Sequence, residues 1–151
     1  GADVVWVSGG SLVALLAVWR AHGLDDVLRA AWRAGVVLAG GSAGGICWHT
    51  GGVTQSFGPE PVAVADGLGF VPGSLGVHTD SDPRRLPAFR AAIKAGHLAE
   101  GIAIDEGMGL VYRDRELVEA VTERPGGRAI RISASAPDIE LPVRTLREDT
   151  V

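Results

Sequence analysis

Two short apolar runs, Asp3–Val7 and Val36–Ala39, each break off into a cluster of glycine and serine and then pass into a helical stretch. No other feature constrains the fold of this chain as much. A short β-branched apolar run reads as a buried strand, and a strand that returns parallel to its neighbour must cross over, usually through a helix. The first run leads through Ser8-Gly9-Gly10-Ser11 into helical character over residues 12–22, stopped by Gly23. A second helix is predicted over residues 25–34, with Asp25 and Asp26 in the first turn, where the helix dipole favours acids. Leu24, Val27, Leu28, Ala31 and Trp32 share one of its faces. The second run leads through Gly40-Gly41-Ser42-Ala43-Gly44-Gly45 into a helical stretch reaching about His49. Strand, helix, helix, strand, helix predicts an α/β fold with parallel strands and crossovers.

Further along, the Gly- and Pro-rich residues 51–61 read as an exposed loop, and a strand near 74–78 ends at His78. Thr79-Asp80-Ser81-Asp82-Pro83 then reads as a helix start, with Asp80 and Asp82 as N-terminal caps and proline in the first turn. That helix runs to about Gly96. Ile102–Ile104 is a strand, Leu110–Tyr112 and Leu117–Val121 form a hairpin around Arg113-Asp114-Arg115-Glu116, and Ala129–Ile132 and Leu141–Val143 are the last strands. Nothing resembles a repeat or a linker, so residues 1–151 are expected to form one domain.

Composition narrows the function classes. A net charge of −4 argues against non-specific nucleic-acid binding, which needs a basic surface. The longest apolar run, Leu12–Trp19, is far short of the ~20 residues a membrane span needs. The chain opens on a strand-like run with no signal-peptide pattern, and the lone Cys47 cannot form an internal disulfide; together these predict a reducing, cytoplasmic setting. Glycine, at 22 of 151 residues, is in surplus and concentrates in pairs between apolar runs, where a backbone turns sharply or approaches another closely.

One of those clusters carries chemistry. Gly40-Gly41-Ser42-Ala43-Gly44 fits G-x-S-x-G between a strand and a helix, the pattern of a serine held on a tight turn with small residues two positions either side. The N–H of Ala43 would then face an oxyanion beside Ser42, and the Gly9-Gly10 turn could offer a second N–H. No phosphate-loop lysine pattern is present, Lys94 being the only lysine, and no G-x-G-x-x-G pattern suggests a dinucleotide; no cofactor or metal is expected. A serine nucleophile needs a base. Of the four histidines, His22 and His97 read as helix-end residues, and His49 lies two turns past Ser42 and points away. His78 falls at a strand end, where open α/β sheets place their ligand crevice. The base needs a carboxylate to fix its tautomer; Asp105 and Glu106, at the end of the next strand, point to opposite faces, and spacing does not choose between them. Cys47 reads as a small buried hydrophobe rather than a nucleophile.

Five blocks in this order resemble the S51 serine peptidases, the group of aspartyl dipeptidases and cyanophycinases: residues 7–16 (Val-Ser-Gly-Gly-Ser-Leu-Val-Ala-Leu-Leu), 23–32, 39–47 (Ala-Gly-Gly-Ser-Ala-Gly-Gly-Ile-Cys), 77–89 and 101–110. The resemblance implies a flavodoxin-like, class I amidotransferase-like fold: a doubly wound, mostly parallel sheet with helices on both faces and a C-terminal hairpin. It implies Ser42 as nucleophile, His78 as base, Glu106 as the acid, and Gly10 and Ala43 at the oxyanion positions. Family enzymes recognise an acidic group on the N-terminal residue of a short peptide through basic side chains; Arg85, and less closely Arg84, match those positions. The family's segment before the Gly-Gly turn does not precede Asp3, so the chain is expected to be either a fragment or a naturally short form that rebuilds its sheet or covers the edge by homo-oligomerising. Ser11 stands where the family has asparagine, and residues 51–61 do not match the aspartyl dipeptidase loop. The expected function is a serine dipeptidase; the alternatives are a non-catalytic binding or assembly module, and a cyanophycinase-like or esterase hydrolase.

Overall fold

A computed structural model of the chain describes residues 1–146. Strand β1 (Val4–Val7) is followed by α1 (Leu12–Ala21) and α2 (Leu24–Arg33), then β2 (Val37–Gly40) and the single turn α3 (Ala43–Ile46). Strands β3 (Gly51–Thr54), β4 (Val62–Val64) and β5 (Ser74–Gly76) precede α4 (Arg85–Lys94). The remainder is β6 (Gly101–Ile104), β7 (Met108–Arg113), β8 (Glu116–Thr122), β9 (Ala129–Ile132), β10 (Ile139–Glu140) and β11 (Val143–Thr145).

The opening unit follows the expected crossover: β1 and β2 pair in parallel, with Val4 opposite Val37 and Val7 opposite Gly40. The side chain of Ser11 caps α1 by accepting from the Ala14 N–H, and Gly23, at φ +65°, turns α1 into α2. On α2 the predicted apolar face is only partly used. Leu28 is buried and Trp32 stacks on Phe70, whereas Val27 is 60% exposed. Strands β3, β5 and β6 also run parallel, in a six-stranded sheet of order β10-β9-β6-β5-β3-β4.

Two expectations are corrected. The sheet is mixed rather than mostly parallel, and it is divided: β1 and β2 form one ladder, six strands a second, and β7, β8 and β11 a third. Residues 51–54 are a buried strand, not exposed loop. Glycine is unfavourable in strands on average, but here backbones press on it: a Cβ on Gly51 would lie 2.2 Å from the Val64 carbonyl oxygen, and one on Gly52 2.2 Å from that of Leu75.

Helices lie on both sides of the large sheet. Leu75 and Val77, with Ile102 and Ile104, face a core made with Leu12, Leu16, Leu28 and Ile46. Their alternates face α4: the Phe89 ring lies against Gly76, and Ala103 packs with Phe89 and Ile93. The ends of β1, β2, β5 and β6 therefore carry the loops that hold the residues singled out in the sequence.

Candidate active site

Ser42 lies two residues past the end of β2 and sits at φ +54°, ψ −120°, a conformation that L-residues rarely adopt and that holds its hydroxyl out of the turn. The turn exists because its neighbours lack side chains. A Cβ on Gly40 would lie 2.3 Å from the Gly44 oxygen, and one on Gly44 would lie 2.1 Å from the Val7 oxygen. Strand β1, strand β2 and α3 thus meet at backbone contact. The Gly9 turn presses on the same point, since its Cβ would meet Ser42 Cβ at 3.1 Å. Gly10, at φ +141°, adopts a conformation that favours glycine. Neither the Gly10 nor the Ala43 N–H has a protein acceptor among the described residues.

His78 lies just past β5, also in the left-handed region at φ +59°. Its Nε2 is 2.9 Å from Ser42 Oγ, and its Nδ1 bonds to Glu106 Oε2. An ionised carboxylate can only accept, so Nδ1 carries the hydrogen and Nε2 is left to accept from the serine hydroxyl. Ser42, His78 and Glu106, from three separate strand ends, are thereby brought into one chain of hydrogen bonds. The pair is not sealed away: the side chains of His78 and Glu106 are 30% and 44% exposed.

Asp105 is turned the other way. It is buried, accepts from Thr79 Oγ1 at 2.8 Å and from the Arg128 N–H and Nε, and so ties three segments together beneath the site. These long-range partners turn Asp105 away from His78 and leave the contact with Nδ1 to Glu106. The reading of Thr79–Pro83 as a helix start is also corrected, because α4 begins only at Arg85. Asp82 does act locally, accepting from the Arg84 N–H. Asp80 does not cap: it accepts from the Glu106 N–H at 2.8 Å and pairs with Arg124. The bond from the Glu106 N–H holds its carboxyl below the usual range against desolvation, with its own backbone N–H, the charge of Arg124 and the Ser81 N–H adding to it.

The two arginines differ sharply. Arg84 is exposed and committed to acids, with Nε and Nη2 donating to Asp82 and Nη1 to Glu60. Arg85 is half-buried, and its one side-chain bond among the described residues goes to the neutral Gln55 Oε1. Burial lowers its pKa, opposed by the nearby charges of Asp82 and Glu106. Gln55 was not legible as a site residue. Its amide nitrogen also donates to Asp82, and the adjacent Ser56 Oγ accepts from the Val13 N–H at the start of α1, so residues 55–56 bridge the start of α1 and Arg85.

The other candidates sit as expected. His22 and His97 are exposed at helix ends. Cys47 is buried, its thiol donating to the Gly44 carbonyl and pushed up to about 12 by burial. Among the described residues no three His, Cys, Asp or Glu side chains are grouped as metal ligands, and no helix is long and apolar enough to cross a membrane.

His49 is buried against the edge of Tyr112, its Nδ1 unpartnered among the described residues, and burial lowers its pKa to about 4, partly opposed by the Gly73 and Pro72 carbonyls. The unfolded chain, with histidine near 6.5, binds more protons than the folded one between those values. Stability therefore falls as pH drops from about 6.5 towards 4, by about 2 to 3 kcal/mol from this group. Urea titrations at pH 7 and 4.5 should show that loss in the wild type and a smaller one in His49→Gln; equal losses would assign the acid sensitivity elsewhere.

Residues 1–120 match the sequence profile described as peptidase family S51. The chain is also 41% identical over 147 residues to a protein of Bacillus subtilis (strain 168) named uncharacterized peptidase YgaJ; the alignment covers 95% of this chain and 63% of that protein. The chain thus spans less than two thirds of that relative's length.

Proposed function

Because the chain belongs to peptidase family S51, we propose that it is a serine-type peptidase acting on short peptides through Ser42, His78 and Glu106, with preference for an acidic N-terminal residue. The observation that carries this reading is the hydrogen-bond chain from Ser42 Oγ through His78 to Glu106. His78 Nε2 takes the hydroxyl proton as Ser42 Oγ attacks the peptide carbonyl carbon. Glu106 keeps Nδ1–H in place and stabilises the imidazolium that forms. The N–H groups of Gly10 and Ala43 receive the oxyanion. Collapse passes the Nε2 proton to the leaving amine. Water, deprotonated by the same nitrogen, then releases the acyl group and restores Ser42.

The acidic preference rests on Arg85. A half-buried guanidinium with no acid of its own, near the triad, favours an anionic substrate group with which it can form two parallel hydrogen bonds. Arg84, already held by Asp82 and Glu60, is assigned no such role.

One panel tests both parts. A fluorophosphonate should modify the wild type at Ser42, read by peptide mass mapping, and no modification there would remove the serine mechanism. Arg85→Gln should be modified at the wild-type rate but lose about 10- to 100-fold in kcat/KM on Asp-initial dipeptides, the worth of a charge-assisted bond. Equal loss on Ala-initial dipeptides would sink the specificity assignment alone.

A further inference from the structure

The triad's acid must be held in place, and its surroundings do not do this by burial. Glu106 is 44% exposed and stands in a turn outside β6, so hydrogen bonds of the turn rather than burial hold its carboxylate towards His78. On one side Asp105 is fixed by Arg128 and Thr79; on the other, the Gly107 carbonyl accepts from the Glu123 N–H. Between them the Glu106 N–H has one partner, the side chain of Asp80 at 2.8 Å.

Asp80 comes from the histidine's own loop, two residues past His78. A closed ring results: the His78 ring bonds to the Glu106 carboxylate, the Glu106 N–H bonds to the Asp80 carboxylate, and the chain leads back from Asp80 to His78. The ring fixes the acid relative to the base rather than each relative to the sheet. Arg124, from the loop after β8, braces it by donating to the other Asp80 oxygen at 3.2 Å.

We propose that Asp80 is a positioning residue for the triad, holding the Glu106 backbone so that its carboxylate meets His78 Nδ1; this rests on the serine-peptidase reading above. An ångström of misplacement at a reacting group can cost about 100-fold in rate, so loss of the clamp should be visible in the reactivity of Ser42 itself, without knowledge of the substrate.

The experiment follows the second-order rate of fluorophosphonate modification of Ser42 from pH 5 to 9. Asp80→Ala should label about 10- to 100-fold more slowly. Asp80→Asn keeps an oxygen able to accept the Glu106 N–H and should stay within about threefold of wild type, because the clamp needs an acceptor more than a charge. In a Glu106→Ala background, Asp80→Ala should slow labelling less than twofold further, since its effect passes through Glu106. Asp80→Ser, whose hydroxyl falls one bond short, takes the place of the alanine variant if that variant does not fold. Wild-type rates in folded Asp80→Ala, equal losses in the asparagine and alanine variants, or full additivity with Glu106→Ala would each overturn the assignment while leaving the serine mechanism standing. An unlabelled wild type would remove both.

Discussion

Ser42→Ala and His78→Ala should each lower kcat by about 10⁵- to 10⁶-fold, and the double variant should lower it no further. On the proposed mechanism the two groups act as a unit: without Nε2 to take its proton at 2.9 Å, the Ser42 hydroxyl is a poor nucleophile, and without the hydroxyl the imidazole has no proton to take. Glu106→Gln should cost about 10- to 100-fold less than either, because the acid orients rather than reacts. Its partial exposure lets water screen part of the charge that is lost. The measurement is turnover of a dipeptide panel with each variant and the double variant, under conditions where circular dichroism shows all of them folded. Additive losses for Ser42 and His78 would mean that they do not share a proton, and the hydrogen bond between them would have to be assigned another purpose.

Where the sequence could be read and where it could not depends on how far away the deciding partner lies. Ser42 was legible because its determinants are adjacent: the apolar strand before it, and Gly40 and Gly44 two positions either side, where backbones touch. The opening crossover was legible for the same reason, since Val4 to Val7 and Val37 to Gly40 are short runs bounded by glycine. Asp105 and Glu106 were inseparable by spacing, because what turns Asp105 inward is Arg128, 23 residues on, and Thr79, 26 residues back. Asp80 looked like a cap by local pattern, yet its partner is an N–H 26 residues away. Arg84 and Arg85 are neighbours told apart by their partners: Asp82, two residues back, and Glu60 hold Arg84, whereas Arg85 bonds to Gln55. The strand at 51–54 has no local signal, because Gly-Gly reads as a turn and it is the distant Val64 and Leu75 that close on it. The division of the sheet had no local signal at all, for it depends on which strand edges meet.

The second large effect tests the contact that places Ser42. Gly44→Ala should destabilise the chain by about 3 kcal/mol or more, lowering the melting temperature by roughly 6–12 °C, whereas Gly45→Ala, one residue on, should stay within about 1 kcal/mol of wild type. Both glycines lie in α3, so helix propensity favours alanine at each by about the same amount. What differs is the neighbour. At Gly44 the new Cβ would lie 2.1 Å from the Val7 oxygen, 2.6 Å from its carbonyl carbon and 2.9 Å from the Ser8 oxygen, all backbone atoms. The Val7 carbonyl also accepts from the Gly41 N–H at 3.0 Å, so it cannot yield without loosening β1 from the turn that carries Ser42. At Gly45 the nearest atoms are the Gly40 oxygen at 3.2 Å and the Leu75 Cδ2 at 3.6 Å, which a shift of a few tenths of an ångström relieves. Gly44→Ala should therefore lose stability and Ser42 labelling together, since the movement that relieves the clash drags the Gly9-Gly10 turn away from the hydroxyl. A variant that melts with the wild type and labels at its rate would show that β1 and α3 do not meet at backbone contact, and the seating of the Gly9 turn against Ser42 would fall with that contact.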